Sequence, residues 1–587
     1  MATPTNPAHQ PLSLNFPAAS LRPTVMGRSH AVSSGHYLAT LAATRILDAG
    51  GNAVDAGVAA AMALAVLQPD IVSFAGVAPT LIHVARMGGV VSLPGLGWWP
   101  AATDLDTLRR AGDGKSVPEG LLRTVIPAAP ATHITALRRF GTISFREAAT
   151  PALELARDGF ATYPFLAENL RQARTRYERW PSSSAIFVPG GRPPGIGDPF
   201  LQPDLARTIA GMIDAEAAAS GDRDRKLRAA HDFFYKGPVA AAIVRYHEDN
   251  GGFLRASDLA GFEVEPEASL SASYRGVDVH SCDTWCQGIV LLEALKILER
   301  DDLQALRHNS PAYVHLVAEA LNLAFADREA YVGDPRFVDV PSAQLLDAGY
   351  AARQRARIRP DAAFGRMPDC GGAGSARRGT AEPAPTTGQV GLSPDTIYAA
   401  AMDRFGNAYS ATLSDTTHDS PVIPGTGLVV SSRGHQSRLQ QDHPASVAPG
   451  KRPRLTPSPA MAMRDGKPWL CFGTPGGDVQ SQAMLQVFLN IAEFGMQVQQ
   501  AVEAPRFSSA SFPNSFAPHD YLPGRLCIEA NMPPGVIEAM RGLGHDVQVI
   551  AALPPMSGAV CAVMRDQRTG LLHAGADPRR EAYALAW

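Results

Sequence analysis

The stretch that decides the fold is Thr396-Ile397-Tyr398-Ala399-Ala400-Ala401-Met402, with the turn Asp403-Arg404-Phe405-Gly406-Asn407 and the apolar run Ala408-Tyr409-Ser410-Ala411-Thr412-Leu413. Two β-type runs joined by a Gly/Asn turn read as a hairpin. In front of it, residues 360–394 are rich in Pro, Gly, Ala, Ser and Thr and carry almost no apolar periodicity. A flexible segment running into a strand that opens on Thr suggests that the chain is cut before Thr396. A Thr hydroxyl is a poor nucleophile without an adjacent base. A freed N-terminal Thr carries its own base, because an α-amine titrates at about 7.7–8.0 and can take the hydroxyl proton.

Outward from the hairpin, residues 36–48 have helical apolar spacing and stop at Gly50-Gly51. Asn52 caps the next helix, the Ala-rich stretch 53–66, whose small residues suit close packing on a sheet. Residues 81–84 and 89–93 read as a strand pair and 129–179 as a helical region, with Phe234-Tyr235-Lys236-Gly237-Pro238 starting another helical segment and Ser257-Asp258 a cap. Residues 274–281 read as one strand, and 288–299 and 313–328 as amphipathic helices, the second closed by Gly333-Asp334-Pro335. After the hairpin, 427–431 and 468–472 read as strands. Gly473-Thr474-Pro475-Gly476-Gly477-Asp478 then leads into a helix over about 479–494. A glycine turn between strand and helix presents backbone N–H groups to negative charge, either a phosphate or an acyl-transfer oxyanion. The Gly-Lys-Ser/Thr ending of a nucleotide-binding loop is missing. Residues 559–564 read as a further strand.

Composition excludes several classes. Of 587 residues 45% are hydrophobic and 19% charged, enough for a large buried core. A net charge of −3 without a Lys/Arg cluster gives no footprint for nucleic acid. The six cysteines are scattered, and Cys282 and Cys286 have no second pair to complete a zinc site. The first twenty residues lack a basic start followed by an apolar core, and 53–67 is too short to span a bilayer, so a cytoplasmic address is expected. Neither a cofactor nor a metal ligand is assigned.

Several blocks, taken in order, resemble the γ-glutamyltransferase family of N-terminal-nucleophile hydrolases. They are Gly50-Gly51-Asn52-Ala53-Val54-Asp55-Ala56, Phe325-Ala326-Asp327-Arg328, Gly333-Asp334-Pro335, Asp395-Thr396, Gly406-Asn407-Ala408, Pro449-Gly450-Lys451-Arg452-Pro453, Pro475-Gly476-Gly477 and Asp577-Pro578-Arg579-Arg580. The resemblance implies an α+β fold, a four-layer αββα sandwich, made as one precursor and self-cleaved into intertwined subunits. Residues 1–25 would be an N-terminal arm, 26–395 the large subunit with 360–395 as the pre-cleavage segment, and 396–587 the small subunit, assembling up to a dimer of heterodimers. It implies cleavage between Asp395 and Thr396, Thr396 as nucleophile, Gly476 and Gly477 as oxyanion donors, and Ser414 as the hydroxyl beside the nucleophile's amine. Thr416 falls where the family places an Asn on the glutamyl group.

The departures lie in substrate recognition. Leu96 stands where the family has the Arg that grips the glutamyl carboxylate, and an isobutyl group cannot replace a bidentate guanidinium. His435 or Gln436 stands at the acidic position, and Leu455 and Thr456 at the paired serines. The expected activity is cleavage of a small-molecule amide through a Thr396 acyl-enzyme. The acyl group would be less polar or smaller than glutamyl, as in relatives that deacylate β-lactam side chains or hydrolyse oxamate. Leu96, Trp98 and Trp99 would line its pocket, with Arg433 as a new carboxylate contact. Two alternatives remain: ordinary γ-glutamyl transfer or glutathione hydrolysis, and an unprocessed, non-catalytic scaffold. No membrane or nucleic-acid partner is expected.

Overall fold

The computed structural model describes residues 20–374, 385–390 and 396–587. The expectations for the remaining residues, Asp395 among them, lie outside that range. The hairpin forms as read: Thr396–Asp403 pairs antiparallel with Ala408–Ser414, from Thr396 opposite Ser414 to Met402 opposite Ala408. It lies at the middle of an antiparallel seven-stranded sheet in the order Tyr583–Ala586, His30–Ser34, Thr396–Asp403, Ala408–Ser414, Thr80–His83, Val91–Leu93, Glu267–Ala268. A second antiparallel sheet of seven runs Val25–Gly27, Leu572–Ala576, Cys561–Arg565, Lys467–Gly473, Ala460–Arg464, Val277–Ser281, Leu270–Tyr274.

Side chains alternate across a strand, and the central strand uses both faces. Ile397, Ala399 and Ala401 join one apolar cluster with the helix Ala53–Leu67. Tyr398, Ala400 and Met402 join another with Met461, Cys471, Cys561 and Val563 of the second sheet. The other face of that second sheet, through Ala460, Ala462, Leu470 and Phe472, packs on the helices Gly288–Leu298, Pro311–Tyr331 and Val479–Ala492. Because both faces are covered, the strand reads as a continuous apolar run rather than a clean alternation.

Every residue of Ala53–Leu67 is buried. Asn52 Oδ1 accepts from the amides of Val54 and Asp55, and Asp55 Oδ2 accepts from Asn52 N at 2.9 Å, closing a reciprocal cap. Gly57 lies against the Tyr409 ring, where an added Cβ would come within 2.1 Å. Gly57→Ala gains helix propensity but overpacks a rigid strand. A net loss of about 1–3 kcal/mol is expected in urea unfolding.

Four local expectations are corrected. Residues 274–281 are part of a hairpin, Leu270–Tyr274 and Val277–Ser281, turned at Arg275 and Gly276, both at positive φ. Phe234 and Tyr235 end the helix Arg223–Tyr235, and the new helix begins at Pro238, whose ring suits a first turn. The helix Ala256–Ala260 is capped from Arg255, with Asp258 reaching back to the Arg255 amide. The helices at 288 and 311 are buried nearly all round rather than amphipathic, because charged residues such as Asp327, Arg328 and Glu329 find partners inside the protein.

Candidate active site

Thr396 and Ser414 face each other across the ladder, both fully buried, with Thr396 Oγ1 2.8 Å from Ser414 Oγ. Beneath them Gly76 approaches so closely that an added Cβ would meet the Ser414 carbonyl at 2.4 Å, and Val77 bridges to Ser414. Arg433, 0% exposed, donates through Nη2 to Ser414 Oγ. A guanidinium only donates, so Ser414 accepts from it, and its own hydrogen is available to Thr396. Ser414→Ala removes this relay while leaving the ladder intact, and kcat is expected to fall about 10–100-fold in steady-state assays with little change in KM.

Arg433 is held from the other side by Asp415, whose Oδ1 lies 3.4 Å from Nε. Asp415 is a non-glycine residue at φ 131°, a strained backbone position next to the site. Its carboxylate accepts from Ser431 Oγ at 2.6 Å and from Ser432 N at 3.0 Å. Burial pushes this carboxyl up to about 6, with Arg433 and Ser431 pulling it back. Above that pH Asp415 is anionic and anchors Arg433; below it the guanidinium loses its counter-charge. kcat/KM is expected to drop as pH falls through about 6, and Asp415→Asn to give a low profile without that limb. The linkage sign for stability is opposite. A carboxyl raised in the fold favours folding at pH values below its unfolded pKa, and that contribution is lost as pH rises through about 6.

A second buried ion pair lies alongside: Arg123 Nη1 donates to Asp419 Oδ2 at 2.8 Å. Asp419 Oδ1 accepts from Thr416 Oγ1 at 3.0 Å and Ser432 Oγ at 3.2 Å. His435 Nδ1 lies 2.7 Å from the Ser432 carbonyl, and its ring stacks on Phe516. Burial pushes the His435 imidazole down to about 3 against the pull of Asp419, so it is neutral near pH 7. Gln436 Nε2 donates to Thr456 Oγ1 at 2.8 Å.

The glycine turn follows the strand Lys467–Gly473 and opens the helix Val479–Ala492. Gly473 backs onto the ring of Tyr398, two residues after Thr396, where a Cβ would collide at 2.3 Å. Gly476 and Gly477 have φ of 119° and 57°, the left-handed region that favours glycine. The Gly477 carbonyl accepts from Gln287 Nε2 at 3.1 Å, and Gln287 Oε1 accepts from Arg328 Nη1 at 2.8 Å. Arg328 also donates to Glu329 Oε1 at 2.8 Å and pairs with Asp478. Burial alone would raise the Glu329 carboxyl, but Arg454, Arg328 and Arg438 outweigh it and hold it well below the usual range.

The sequence-predicted residues thus divide. Thr396, Ser414 and Arg433 form one connected group, with Thr416 and His435 joined to its Asp419 side. Thr456 and Gln436 bond to each other, and Gln287 Nε2, which reaches the Gly477 carbonyl, lies 3.4 Å from that of Thr456. Leu96 packs in the apolar cluster between the sheets with Tyr398 and Leu455. Trp99 is fully buried, donating from Nε1 to Ser437 Oγ at 3.0 Å. Trp98 instead packs on Phe262, with the Arg336 guanidinium over its ring. Sequence reading missed Asp415, Asp419, Arg123 and Gln287. The signal available was the pair of acids shortly after Ser414, Asp415 and Asp419; Arg123 and Gln287 come from remote segments.

Comparison with known proteins identifies the class. Residues 39–587 match the model of the gamma-glutamyltranspeptidase family. The glutathione hydrolase-like YwrD proenzyme of Bacillus subtilis (strain 168) is 30% identical over 571 residues, spanning 96% of this chain and 99% of that protein. The acylase ACY 1 proenzyme of Pseudomonas sp. (strain SE83) is 30% identical over 545 residues, 91% of this chain and 89% of its own. The solved structure of LmbA2991HD superposes with a TM-score of 0.91 at 35% identity, covering 96% of this chain and 99% of that one. The chain belongs to the gamma-glutamyltranspeptidase family, as an amide hydrolase or acyltransferase of that family. No helix among the described residues is long and apolar enough to cross a membrane.

Proposed function

We propose that this protein is an autoprocessed N-terminal threonine amidohydrolase whose acyl substrate is less polar or smaller than glutamyl. The architecture is a four-layer αββα sandwich, consistent with the three apolar clusters, and the two subunits come from one precursor, as the proenzyme names of its relatives suggest. Thr396 Oγ attacks the Asp395 carbonyl carbon, the C–N bond breaks as the acyl group moves to oxygen, and water hydrolyses the ester to an Asp395 carboxylate. The free Thr396 amine then takes the hydroxyl proton as Oγ attacks the substrate amide. The amides of Gly476 and Gly477 hold the oxyanion, one such donor being worth about 3–4 kcal/mol of barrier. The leaving amine departs with a proton, and water releases the acid.

The observation that carries the substrate reading is that Leu96, His435, Gln436 and Thr456, at the positions of the family's glutamyl clamp, are all uncharged. Leu96 is in the apolar core, His435 is an uncharged imidazole, and Gln436 and Thr456 are bonded to one another. Arg433 is engaged with Asp415 and Ser414. None of the four clamp positions carries a charge to meet an α-ammonium or α-carboxylate. The test is a panel of chromogenic anilides. Uncharged acyl anilides are expected to exceed the γ-glutamyl anilide in kcat/KM by at least about 100-fold, the scale of a lost bidentate ion pair. Comparable γ-glutamyl turnover would instead select ordinary glutathione-hydrolase chemistry, the reading favoured by the name of the Bacillus relative.

A further inference from the structure

On the side of the helix Pro311–Tyr331 away from the Arg328 network, His315 and Glu319 stand one turn apart and share a face. The third member of the group is His545, held by the turn after the helix Val536–Gly542, where its amide donates to the Met540 carbonyl at 3.1 Å. The ligand-type atoms of the three residues all lie within 4.8 Å of one another. His315 Nδ1 is 3.0 Å from His545 Nε2, and His545 Nε2 is 3.7 Å from Glu319 Oε1. All three side chains are buried, Glu319 at 1% exposure. Neither Glu319 oxygen has a hydrogen-bond partner of ordinary geometry among the described residues, although Asn322 and the Phe364 amide lie beside it.

Without a cation, His545 Nε2–H donates to His315 Nδ1 at 3.0 Å, but the buried Glu319 carboxylate beside them has no full partner, a costly arrangement unless a cation joins the three. His315 is already oriented for that role. Its Nε2 lies 2.7 Å from the Arg359 carbonyl, which accepts the ring proton and leaves Nδ1 as a lone pair facing the cluster. A histidine that donates its far N–H to a backbone carbonyl is the usual support behind a metal-bound imidazole. Nitrogen and oxygen ligands about 2.1 Å from a tetrahedral zinc stand about 3.4 Å apart; the observed 3.0 and 3.7 Å bracket that spacing for two of the three pairs, and the third lies within 4.8 Å.

We propose that His315 Nδ1, Glu319 and His545 Nε2 bind one divalent transition-metal ion of the zinc class, as a structural clamp distant in sequence from Thr396. The ion fastens the helix Pro311–Tyr331 to the turn before the strand Asp546–Ile550. With the chain cut before Thr396, which rests on the function proposed above, it would also hold the two subunits together. Metal binding itself does not depend on that cut.

The experiment uses the full-length protein as purified, stripped with chelator and then exposed to Zn²⁺. Elemental analysis after gel filtration is expected to find one zinc per chain. Tm is expected to rise by several degrees on zinc addition. Glu319→Gln and His545→Ala should each lower zinc retention at least about 10-fold and abolish the Tm shift. X-ray absorption at the zinc edge of the wild-type protein should show two imidazoles and oxygen, which keeps the test alive if a variant fails to fold. Less than a tenth of an equivalent retained by the wild type would overturn the proposal. So would retention unchanged in folded His545→Ala, or a sulfur-ligated or imidazole-free zinc. In those cases the three residues form only a hydrogen-bonded cluster. The same analysis run on Thr396→Ala separates the two proposals: zinc bound to an uncut chain supports the clamp whatever becomes of the nucleophile.

Discussion

Thr396→Ala is expected to run as a single intact chain on a denaturing gel and to lose amide hydrolysis by at least about 10⁴-fold. Two functions should fail together, because in the proposed mechanism one hydroxyl performs both: it would attack the Asp395 carbonyl in the precursor and the substrate carbonyl in the mature enzyme. The substitution removes an oxygen that is fully buried and bonded to Ser414, and it creates no large cavity, so the fold should persist. Circular dichroism and native gel filtration should match the wild type. Thr396→Ser keeps the hydroxyl and should still process, more slowly, because the serine lacks the methyl that fixes χ1. Fragments from the alanine variant would mean that another group does the cutting.

The second large effect is on stability. Arg328 is fully buried, with its guanidinium 4.7 and 5.1 Å from the centroids of the stacked Phe325 and Phe512 rings, and donates to Glu329, Asp478, Gln287, Ser515 and the Pro513 carbonyl. Arg328→Met keeps the length of the side chain and removes the charge. Glu329 retains Arg454 and Arg438, but Asp478 is left with Ser515 alone among these donors. Stranding a buried carboxylate costs about 3–5 kcal/mol, read as a fall of several degrees in apparent Tm. Catalysis should suffer as well. Gln287 loses the donor that fixes its amide, and its hold on the Gly477 carbonyl loosens. A drop in kcat of at least about 10-fold with KM little changed is expected. Arg328→Lys should not rescue it, since an ammonium cannot reproduce the planar fork. A variant with wild-type Tm and kcat would show that the network does not position the turn.

The elements nearest Thr396 were legible because local chemistry and tertiary placement agree there. The Gly406-Asn407 turn, the Asn52 cap and the Gly476-Gly477 bend each demand a particular residue type for a backbone reason. Periodicity failed where burial is complete. The helix Pro311–Tyr331 carries Asp327, Arg328 and Glu329, which look like a solvent face and are instead paired inside the protein. Arg433 misleads in the same way: by composition it looks like a surface arginine, but it is enclosed beside Ser414. Trp98 and Trp99 are adjacent in sequence and diverge in space, because a one-residue step in an extended segment sends neighbouring side chains in opposite directions. Asp419 with Arg123, and Gln287 with Gly477, join segments far apart in the chain, and no local pattern announces such pairs.

The most direct test is intact-mass and N-terminal analysis of catalytically active protein, repeated after brief exposure to a slow amide substrate. The expected result is two polypeptides, the shorter starting Thr-Ile-Tyr and gaining the mass of the acyl group on its first residue. Active protein in which every molecule remains one continuous chain, or an acyl adduct on any residue other than Thr396, would contradict it.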